Sequence, residues 1–227
     1  MDTTIYRFAN PDKDKRESKK YNPLEFPYPS RIFIFGRPDS SKTNIAHNIV
    51  VRLDPEPDKI VVIHNDPDSL EYDSYKNIAD DYTFIAMNDP EFEVPSFKEF
   101  DGNKKNLIII DDLPMGLLNK ENKILMERLF NYASTHRQCT IILVYQNFHN
   151  VLPEIRRSMT HYILTGTNDY TSLNIIANKI ATKVDDLIEL MSFLTNKYDS
   201  LLIDTTKSPG DTYKYRLNLF NPITEIT

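Results

Sequence analysis

Residues 36–43 constrain the fold of this chain more than any other stretch. They read Gly-Arg-Pro-Asp-Ser-Ser-Lys-Thr and follow an apolar run, Ile-Phe-Ile-Phe, at residues 32–35. The run is short and rich in β-branched and aromatic residues, which predicts a buried strand. After the stretch, Ile45, Ile49 and Leu53 recur at intervals of four, as on one face of a helix. The sequence therefore predicts a strand, a tight loop and a helix in direct succession.

This succession is the setting of a phosphate-binding loop, in which backbone N–H groups and the helix N-terminus face the anion. Lys42 would reach the β- and γ-phosphates of a nucleotide, and the Thr43 hydroxyl would hold Mg²⁺. Ser41 departs from the usual pattern G-x-x-x-x-G-K-[ST], which has glycine there. The alternative is a plain strand–loop–helix with a solvated lysine. The candidate nucleotide-binding residues are Gly36, Arg37, Pro38, Asp39, Ser40, Ser41, Lys42 and Thr43.

Composition limits the class of protein. The chain has 227 residues, 40% hydrophobic and 26% charged, which suits one α/β domain with a substantial core. The net charge of −6 provides no global field for nucleic acid, so DNA contact would need a local patch or a pore built by several subunits. Cys139 is the single cysteine, which excludes an internal disulfide. No apolar run approaches the roughly 20 residues of a membrane helix, and no signal-peptide stretch is present, so we expect a soluble intracellular protein.

The first residues differ in character from the rest. Residues 1–29 are polar and contain several prolines, with a mixed charge run at residues 12–20. We expect a solvated N-terminal arm rather than a DNA-binding tail. Residues 30–227 are then expected to form the domain, with its last helices and a hairpin at about residues 168–227.

Two carboxylates follow a second apolar run. Leu-Ile-Ile-Ile at residues 107–110 predicts a central strand, and Asp111 and Asp112 come directly after it. In open parallel sheets, ligands bind outside the carboxyl ends of the strands. Asp111 is therefore placed to meet Mg²⁺ near Thr43, and Asp112 to act as general base toward the attacking water. The alternative is a strand that ends in ordinary turn acids.

The remaining pattern predicts an α/β fold with a C-terminal antiparallel hairpin. Further strands are predicted at residues 59–64, 82–86, 140–145 and 162–164, and the hairpin at residues 201–204 and 213–219 with its turn at 208–211. Helices are predicted at residues 44–53, 70–78, 121–137, 151–159, 170–181 and 185–196. Gln146 follows the strand at 140–145 and could touch the γ-phosphate or the attacking water as a sensor; alternatively, its amide only closes a strand end.

The order of these segments resembles the packaging ATPases of large eukaryotic DNA viruses and their virophage and Polinton-like relatives, the viral branch of the FtsK–HerA class. The likeness covers about residues 30–164. It is strongest from residue 129 to residue 147, where a helix ends near His-Arg and a strand ends in Gln-Asn, and it includes Pro-Glu-Ile-Arg-Arg-Ser at residues 153–158. Two positions depart from the pattern: Ser41 replaces the second loop glycine, and Asp112 stands where many members of the class have glutamate.

The resemblance implies a P-loop NTPase fold of the RecA/ASCE type, with a mainly parallel sheet flanked by helices. It implies an ATP-driven translocase that loads double-stranded DNA into preformed capsids as a homo-oligomeric ring. ATP and Mg²⁺ would be its cofactors, capsid or vertex proteins its partners, and the host-cell cytoplasm (the viral assembly site) or the virion its location. Site roles carry over to Lys42 and Thr43 as phosphate and Mg²⁺ ligands, Asp111 as metal ligand, Asp112 as base and Gln146 as sensor.

A ring motor also needs an arginine that reaches the γ-phosphate of a neighbouring subunit. Arg137 is the first candidate, because it lies between the carboxylate strand and the sensor strand, and we expect it near the sheet edge of the bound nucleotide. Arg156 and Arg157 are the second candidates. For each of the three, a surface cation that covers a helix end is the alternative.

Two other functions stay open from the sequence. One is a P-loop kinase or signalling NTPase, which would need a lid or a base-specific loop, and we expect no guanine-reading N-K-x-D pattern in this sequence. The other is a non-catalytic assembly protein with a degenerate phosphate loop, which Ser41 makes conceivable. Activation of ATP hydrolysis by double-stranded DNA would separate the motor from both.

Overall fold

The computed structural model describes residue 26 and residues 29–223. Over this part of the chain, nine strands form one sheet in the order β3-β2-β4-β5-β1-β6-β7-β8-β9. The strands are β1 Arg31–Phe35, β2 Lys59–His64, β3 Asp81–Ala86, β4 Asn106–Asp111, β5 Cys139–Tyr145, β6 His161–Leu164, β7 Leu201–Asp204, β8 Tyr215–Leu217 and β9 Asn221–Pro222. The predicted arm at residues 1–29, with its charge run at 12–20, lies outside the described residues except for positions 26 and 29.

The helices connect and cover these strands. The α-helices are α1 Lys42–Val50, α2 Lys120–Arg128, α3 Ser134–His136, α4 Pro153–Ser158, α5 Tyr170–Lys179 and α6 Val184–Ser192. A π-helical turn, Leu129–Ala133, joins α2 to α3. Short 3₁₀ helices lie at Asp73–Asn77, Phe97–Glu99, Met115–Leu117 and Phe148–Asn150.

The sheet is parallel from β3 to β6 and antiparallel from β6 to β9. The predicted α/β fold with a C-terminal antiparallel hairpin is therefore confirmed. β5 pairs with β1 on one side and with β4 on the other. Because parallel strands end at the same edge, the segments that follow β1, β4 and β5 meet there.

The core lies on both faces of the sheet. Phe33 and Phe35 belong to the apolar cluster on one face, whereas Ile32 and Ile34 belong to the cluster on the other. All seven residues of β5 are buried. Strands covered on both faces have continuous apolar sequences, which is why these runs stood out in the sequence.

The structure differs from the predicted elements in several places. The helix predicted at residues 121–137 contains the π-helical turn, and the one predicted at 70–78 is the 3₁₀ helix Asp73–Asn77. The last predicted helix ends at Ser192, and the predicted strand 213–219 shortens to Tyr215–Leu217 because its chain turns back into the unpredicted β9. Among the helices of the described residues, none combines the length and the apolar character needed to cross a membrane.

Candidate functional site

The loop after β1 approaches the end of β6 closely. A Cβ atom added at Gly36 would lie 1.7 Å from the Thr165 hydroxyl oxygen and 2.9 Å from that of Ser40. Glycine is therefore required here by lack of space. Two further bonds anchor the loop: the Thr165 hydroxyl donates to Ser40 Oγ at 2.6 Å, and the Arg37 N–H donates to the Gly166 carbonyl at 3.3 Å. The Ser40 hydroxyl in turn donates to the Arg37 carbonyl at 2.6 Å.

Ser41 is the N-cap residue of α1 and has left-handed backbone angles, φ 64° and ψ 23°. This conformation strains residues that carry a Cβ and is the one that glycine adopts freely. Ser41 occupies the position of the second glycine in the usual pattern, and it adopts the left-handed conformation that glycine favours.

Lys42 lies beneath the loop. It is 7% exposed, and its Nζ donates to the Arg37 carbonyl at 2.8 Å. Burial lowers the pKa of Lys42, while nearby carboxylates oppose that shift; they belong to Asp112, Asp111 and Asp39. A phosphate that binds at this loop would replace the Arg37 carbonyl as the partner of the lysine.

Asp111 ends β4 and is 4% exposed. The Thr43 hydroxyl donates to Asp111 Oδ2 at 3.3 Å, and the Tyr72 hydroxyl donates to the same oxygen. Burial raises the pKa of Asp111 to about 6; the Tyr72 bond opposes the shift, and Asp112 adds to it. A hydroxyl and a carboxylate are hard oxygen donors of the kind that Mg²⁺ prefers, so Thr43 and Asp111 fit this ion.

Asp112 and Gln146 meet at the mouth of the site. The Gln146 side-chain amide donates to both Asp112 carboxylate oxygens, at 3.2 and 3.1 Å. Both residues are exposed, and Asp112 has a left-handed φ of 49°. Because Gln146 follows β5, which lies between β1 and β4, it stands between the loop and the carboxylates.

These groups line one cleft of about 420 Å³ at the carboxyl edge of the sheet. Its wall also includes residues that the sequence analysis did not select, above all His64 and Glu71. One ligand atom from each of His64, Glu71 and Asp111 lies within 4.8 Å of the others. Neither Tyr72 nor Glu71 carries a local sequence signal. Thr165 could have been found, since it follows directly after a predicted strand.

The three candidate arginines lie elsewhere. Arg137 precedes β5, and its carbonyl accepts from Asn106 Nδ2 at 2.6 Å at the start of β4. It therefore lies at the amino edge, about 20 Å from the carboxyl edge at a rise of roughly 3.3 Å per residue. The expectation that Arg137 stands near the nucleotide edge is wrong within one subunit, because the helix before β5 returns the chain to the opposite edge. A role toward a neighbouring subunit stays a prediction.

Arg156 and Arg157 lie on α4. The Arg156 guanidinium stands over the Phe148 ring, 5.6 Å from its centroid, and Arg157 pairs with Glu154. Lys179 adds a third cation, because its Nζ donates to the Arg157 carbonyl at 2.7 Å. These residues line a cleft of about 340 Å³ on the flank of the sheet.

The expectation that the sequence lacks an N-K-x-D pattern is wrong. Residues 196–199 read Asn-Lys-Tyr-Asp, which fits the N-K-x-D pattern, so the sequence does contain a candidate base-specific loop. It lies before β7, and Tyr198 and Asp199 line a second cavity of about 260 Å³. Ser41 and Asn44 line both this cavity and the phosphate cleft.

One protein family and several solved structures match this chain. The family described as Poxvirus A32 protein matches residues 56–206. That range begins after the phosphate loop and includes Asp111, Asp112 and Gln146. No curated protein sequence matches the chain significantly.

Solved structures with the same fold include viral ATPases. The DNA-packaging ATPase B204 of Sulfolobus turreted icosahedral virus has 17% sequence identity and a TM-score of 0.58, with 87% of this chain and 100% of that chain covered. B204 of Sulfolobus turreted icosahedral virus 2, a genome packaging NTPase solved with AMPPCP, has 17% identity, a TM-score of 0.57 and the same coverage. The type VII secretion ATPase EccC of Thermomonospora curvata has 8% identity and a TM-score of 0.54 over 78% of this chain and 24% of that chain. At these identities the likeness concerns the fold.

Proposed function

This chain belongs to the Poxvirus A32 protein family, and on that premise we propose that it is a genome-packaging ATPase that uses ATP hydrolysis to move double-stranded viral DNA into a preformed capsid. One observation carries the proposal: Lys42, Thr43, Asp111 and Gln146 line a single cleft at the carboxyl edge of the sheet. The B204 structures, described as packaging enzymes and solved with ATP analogues, support the choice of ATP as substrate.

Substrate binding uses the loop and the start of α1. Lys42 exchanges its bond to the Arg37 carbonyl for the β- and γ-phosphates of ATP. Thr43 and Asp111 would hold Mg²⁺, which would supply positive charge to neutralise the phosphates. Tyr72 fixes the orientation of the Asp111 carboxylate through its hydrogen bond.

Hydrolysis needs a positioned water. Asp112 accepts a proton from that water, and Gln146, which stands between the loop and the carboxylates, orients it. The Gln146 amide uses one acceptor site on each Asp112 oxygen, and the water would bond to an acceptor site that remains.

DNA and a ring of identical subunits complete the proposed motor. The net charge of −6 means that DNA contact depends on a local basic surface. The cleft with Arg156, Arg157 and Lys179 supplies one. An arginine would then reach the γ-phosphate bound to the next subunit. Arg137, which lies at the sheet edge opposite the site of its own subunit, is one candidate, and Arg156 and Arg157 are the others. We place this assembly in the host-cell cytoplasm or the virion, with capsid or vertex proteins as partners.

The decisive experiment measures ATP hydrolysis by the full chain with and without double-stranded DNA over a range of salt concentrations. We expect stimulation by DNA that declines with salt, and loss of hydrolysis in a folded Lys42→Ala variant. Hydrolysis without any DNA response would favour a kinase-like or signalling NTPase. Absence of both nucleotide binding and hydrolysis would favour a non-catalytic assembly protein with a degenerate loop.

A further inference from the structure

The cavity beside the phosphate cleft has the position and size of a nucleobase pocket. Its volume of about 260 Å³ lies below the roughly 300–1,000 Å³ of pockets for whole drug-sized ligands, so it suits one part of a ligand. Ser41 and Asn44 line this cavity and the phosphate cleft alike. A ligand whose phosphates lie on the loop would therefore extend its other end into this cavity.

One wall of the cavity is a face of α1. Ser41, Asn44, Ile45 and Asn48 are spaced by three and four residues, which places them in a row on one side of the helix. The row begins at the N-cap, where phosphate would bind. The helix thus leads from the phosphate site directly along the cavity.

The opposite wall is a turn in strained conformation. Asn218 and Leu219 both have left-handed backbone angles, φ 51° and 71°, and the Phe220 N–H donates to the Leu217 carbonyl at 3.2 Å. Asn218 and Leu219 are the central residues of a β-turn in the three-residue connection between β8 and β9, and such positions favour glycine. A leucine in this left-handed conformation raises the free energy of the folded state. Its side chain is 1% exposed and lines the cavity, so the strain holds an apolar group in the pocket wall.

The polar groups of the wall are already paired. Asp199 Oδ1 accepts from Asn218 Nδ2 at 3.0 Å, and Oδ2 accepts from the Asn196 N–H at 2.9 Å. The Ser200 N–H donates to Asn218 Oδ1 at 2.9 Å. Although Asp199 ends the N-K-x-D sequence, its carboxylate is committed to the wall itself. Tyr198, by contrast, is 67% exposed; the Lys197 ammonium lies over its ring at 5.6 Å from the centroid, and a base could stack on the ring only on the other face or after the lysine side chain moves.

We propose that this cavity receives the base of the bound nucleotide, held by the Tyr198 ring and Leu219 and not read by hydrogen bonds from Asp199. The assignment rests on the proposed nucleotide-binding function of the neighbouring loop. Every base has a π-face that can stack on an aromatic ring, so we expect the pocket to bind adenine and guanine with similar affinity.

Calorimetric titration of the full chain with Mg²⁺–ATP, Mg²⁺–GTP and tripolyphosphate tests this proposal. Tyr198→Ala should weaken ATP binding about tenfold or more, since stacking of one base on an aromatic ring is worth about that factor. Leu219→Gly, which removes an apolar contact, should weaken ATP binding as well, and both variants should leave tripolyphosphate binding unchanged. Tyr213→Ala, which removes a tyrosine exposed at the other end of β7, is the matched control and should change neither. ATP and GTP should differ by less than about tenfold, whereas sites built to hydrogen-bond a group discriminate by about 10⁴-fold.

Three results would overturn the assignment: unchanged ATP affinity in both variants, a parallel loss of tripolyphosphate affinity, or strong selection between ATP and GTP. Failure of the proposed function looks different, because the wild-type protein would then bind neither ATP nor tripolyphosphate. Binding of tripolyphosphate that is lost in Lys42→Ala, together with an ATP affinity that does not change in Tyr198→Ala or Leu219→Gly, would keep the loop and remove only the base pocket.

Discussion

The side-chain amide of Gln146 donates to both carboxylate oxygens of Asp112 across the mouth of the phosphate cleft. A carboxylate that accepts two bonds from one amide is less available to a water molecule. Substitution of either residue should therefore change the rate of hydrolysis more than the affinity for nucleotide.

Asp112→Asn should bind Mg²⁺–ATP with wild-type affinity and hydrolyse it at least about 10²-fold more slowly, because general-base catalysis contributes roughly 10²–10⁴-fold. Single-turnover kinetics beside equilibrium binding would measure the two effects. Asp111→Asn is the matched comparison, and it should weaken Mg²⁺-dependent binding itself. Equal losses of binding in the two variants would contradict the division of roles.

Ser41→Gly should leave stability within about 1 kcal/mol of wild type and maintain or raise nucleotide affinity, because it removes the Cβ from a left-handed residue. Ser40→Gly makes the same chemical change one position earlier. It should lower both quantities, since the Ser40 hydroxyl bonds to Thr165 and to the Arg37 carbonyl. Thermal unfolding and nucleotide titration would check this contrast, and a large loss in Ser41→Gly would show that the serine itself is needed.

Tyr72→Phe should weaken Mg²⁺ affinity about 10- to 100-fold, the usual effect of losing a partner that orients a metal ligand. Nucleotide affinity measured without Mg²⁺ should not change. Tyr170→Phe, on an exposed tyrosine of α5, provides the control. If the Mg²⁺ dependence of ATPγS binding were the same in all three proteins, the Tyr72 bond would have no part in holding Asp111 ready for metal.

Arg137→Ala should bind ATP and lack hydrolysis if this arginine serves a neighbouring subunit. Mixed with Asp112→Asn, whose arginine is intact, it should regain measurable hydrolysis, because some interfaces then pair an intact site with an intact arginine. The mixture requires DNA and concentrations at which subunits exchange. If exchange is confirmed and the mixture stays inactive, Arg156 and Arg157 become the residues to substitute.

Acid should destabilise the fold through Asp204, a buried residue of β7. Burial opposes its charge, but the contact with His161 Nε2 at 3.3 Å and hydrogen bonds from Thr206 outweigh burial and lower the pKa of Asp204 to about 2. Its folded pKa lies below the ordinary value, so the stabilisation is complete above about pH 4 and is lost as pH falls through 2. The loss is about 2 kcal/mol at 1.36 kcal/mol per pKa unit. Denaturant unfolding at several pH values should show this component in wild type and not in Asp204→Asn.

Much of the fold could be predicted from the sequence because the strands of the parallel sheet are covered on both faces. That burial produces uninterrupted apolar runs, such as residues 107–110, which are easy to locate. β9 gave no such signal, since Asn221 and Pro222 are exposed. The π-helical turn at Leu129–Ala133 depends on packing of its apolar side chains and has no local signature.

The residues of the site also fall into two groups, those that could be predicted from the sequence and those that could not. Residues that follow a strand, such as Asp111 and Gln146, could be selected because parallel strands end at one edge. Tyr72 could not, because its contact with Asp111 depends on how a short 3₁₀ segment folds back over β4. Arg137 was placed at the wrong edge because its position between two strands does not say at which end a connecting helix finishes.

The contact between Gly36 and Thr165 restricts how this sequence can change over time. Any side chain at position 36 collides with the hydroxyl at position 165, and that hydroxyl also bonds to Ser40. A larger residue at 36 becomes tolerable only in a lineage that has already lost the hydroxyl at 165, with a new partner for Ser40. Homologous sequences should therefore have a residue larger than glycine at position 36 only where position 165 lacks the hydroxyl, although the two positions belong to distant parts of the chain.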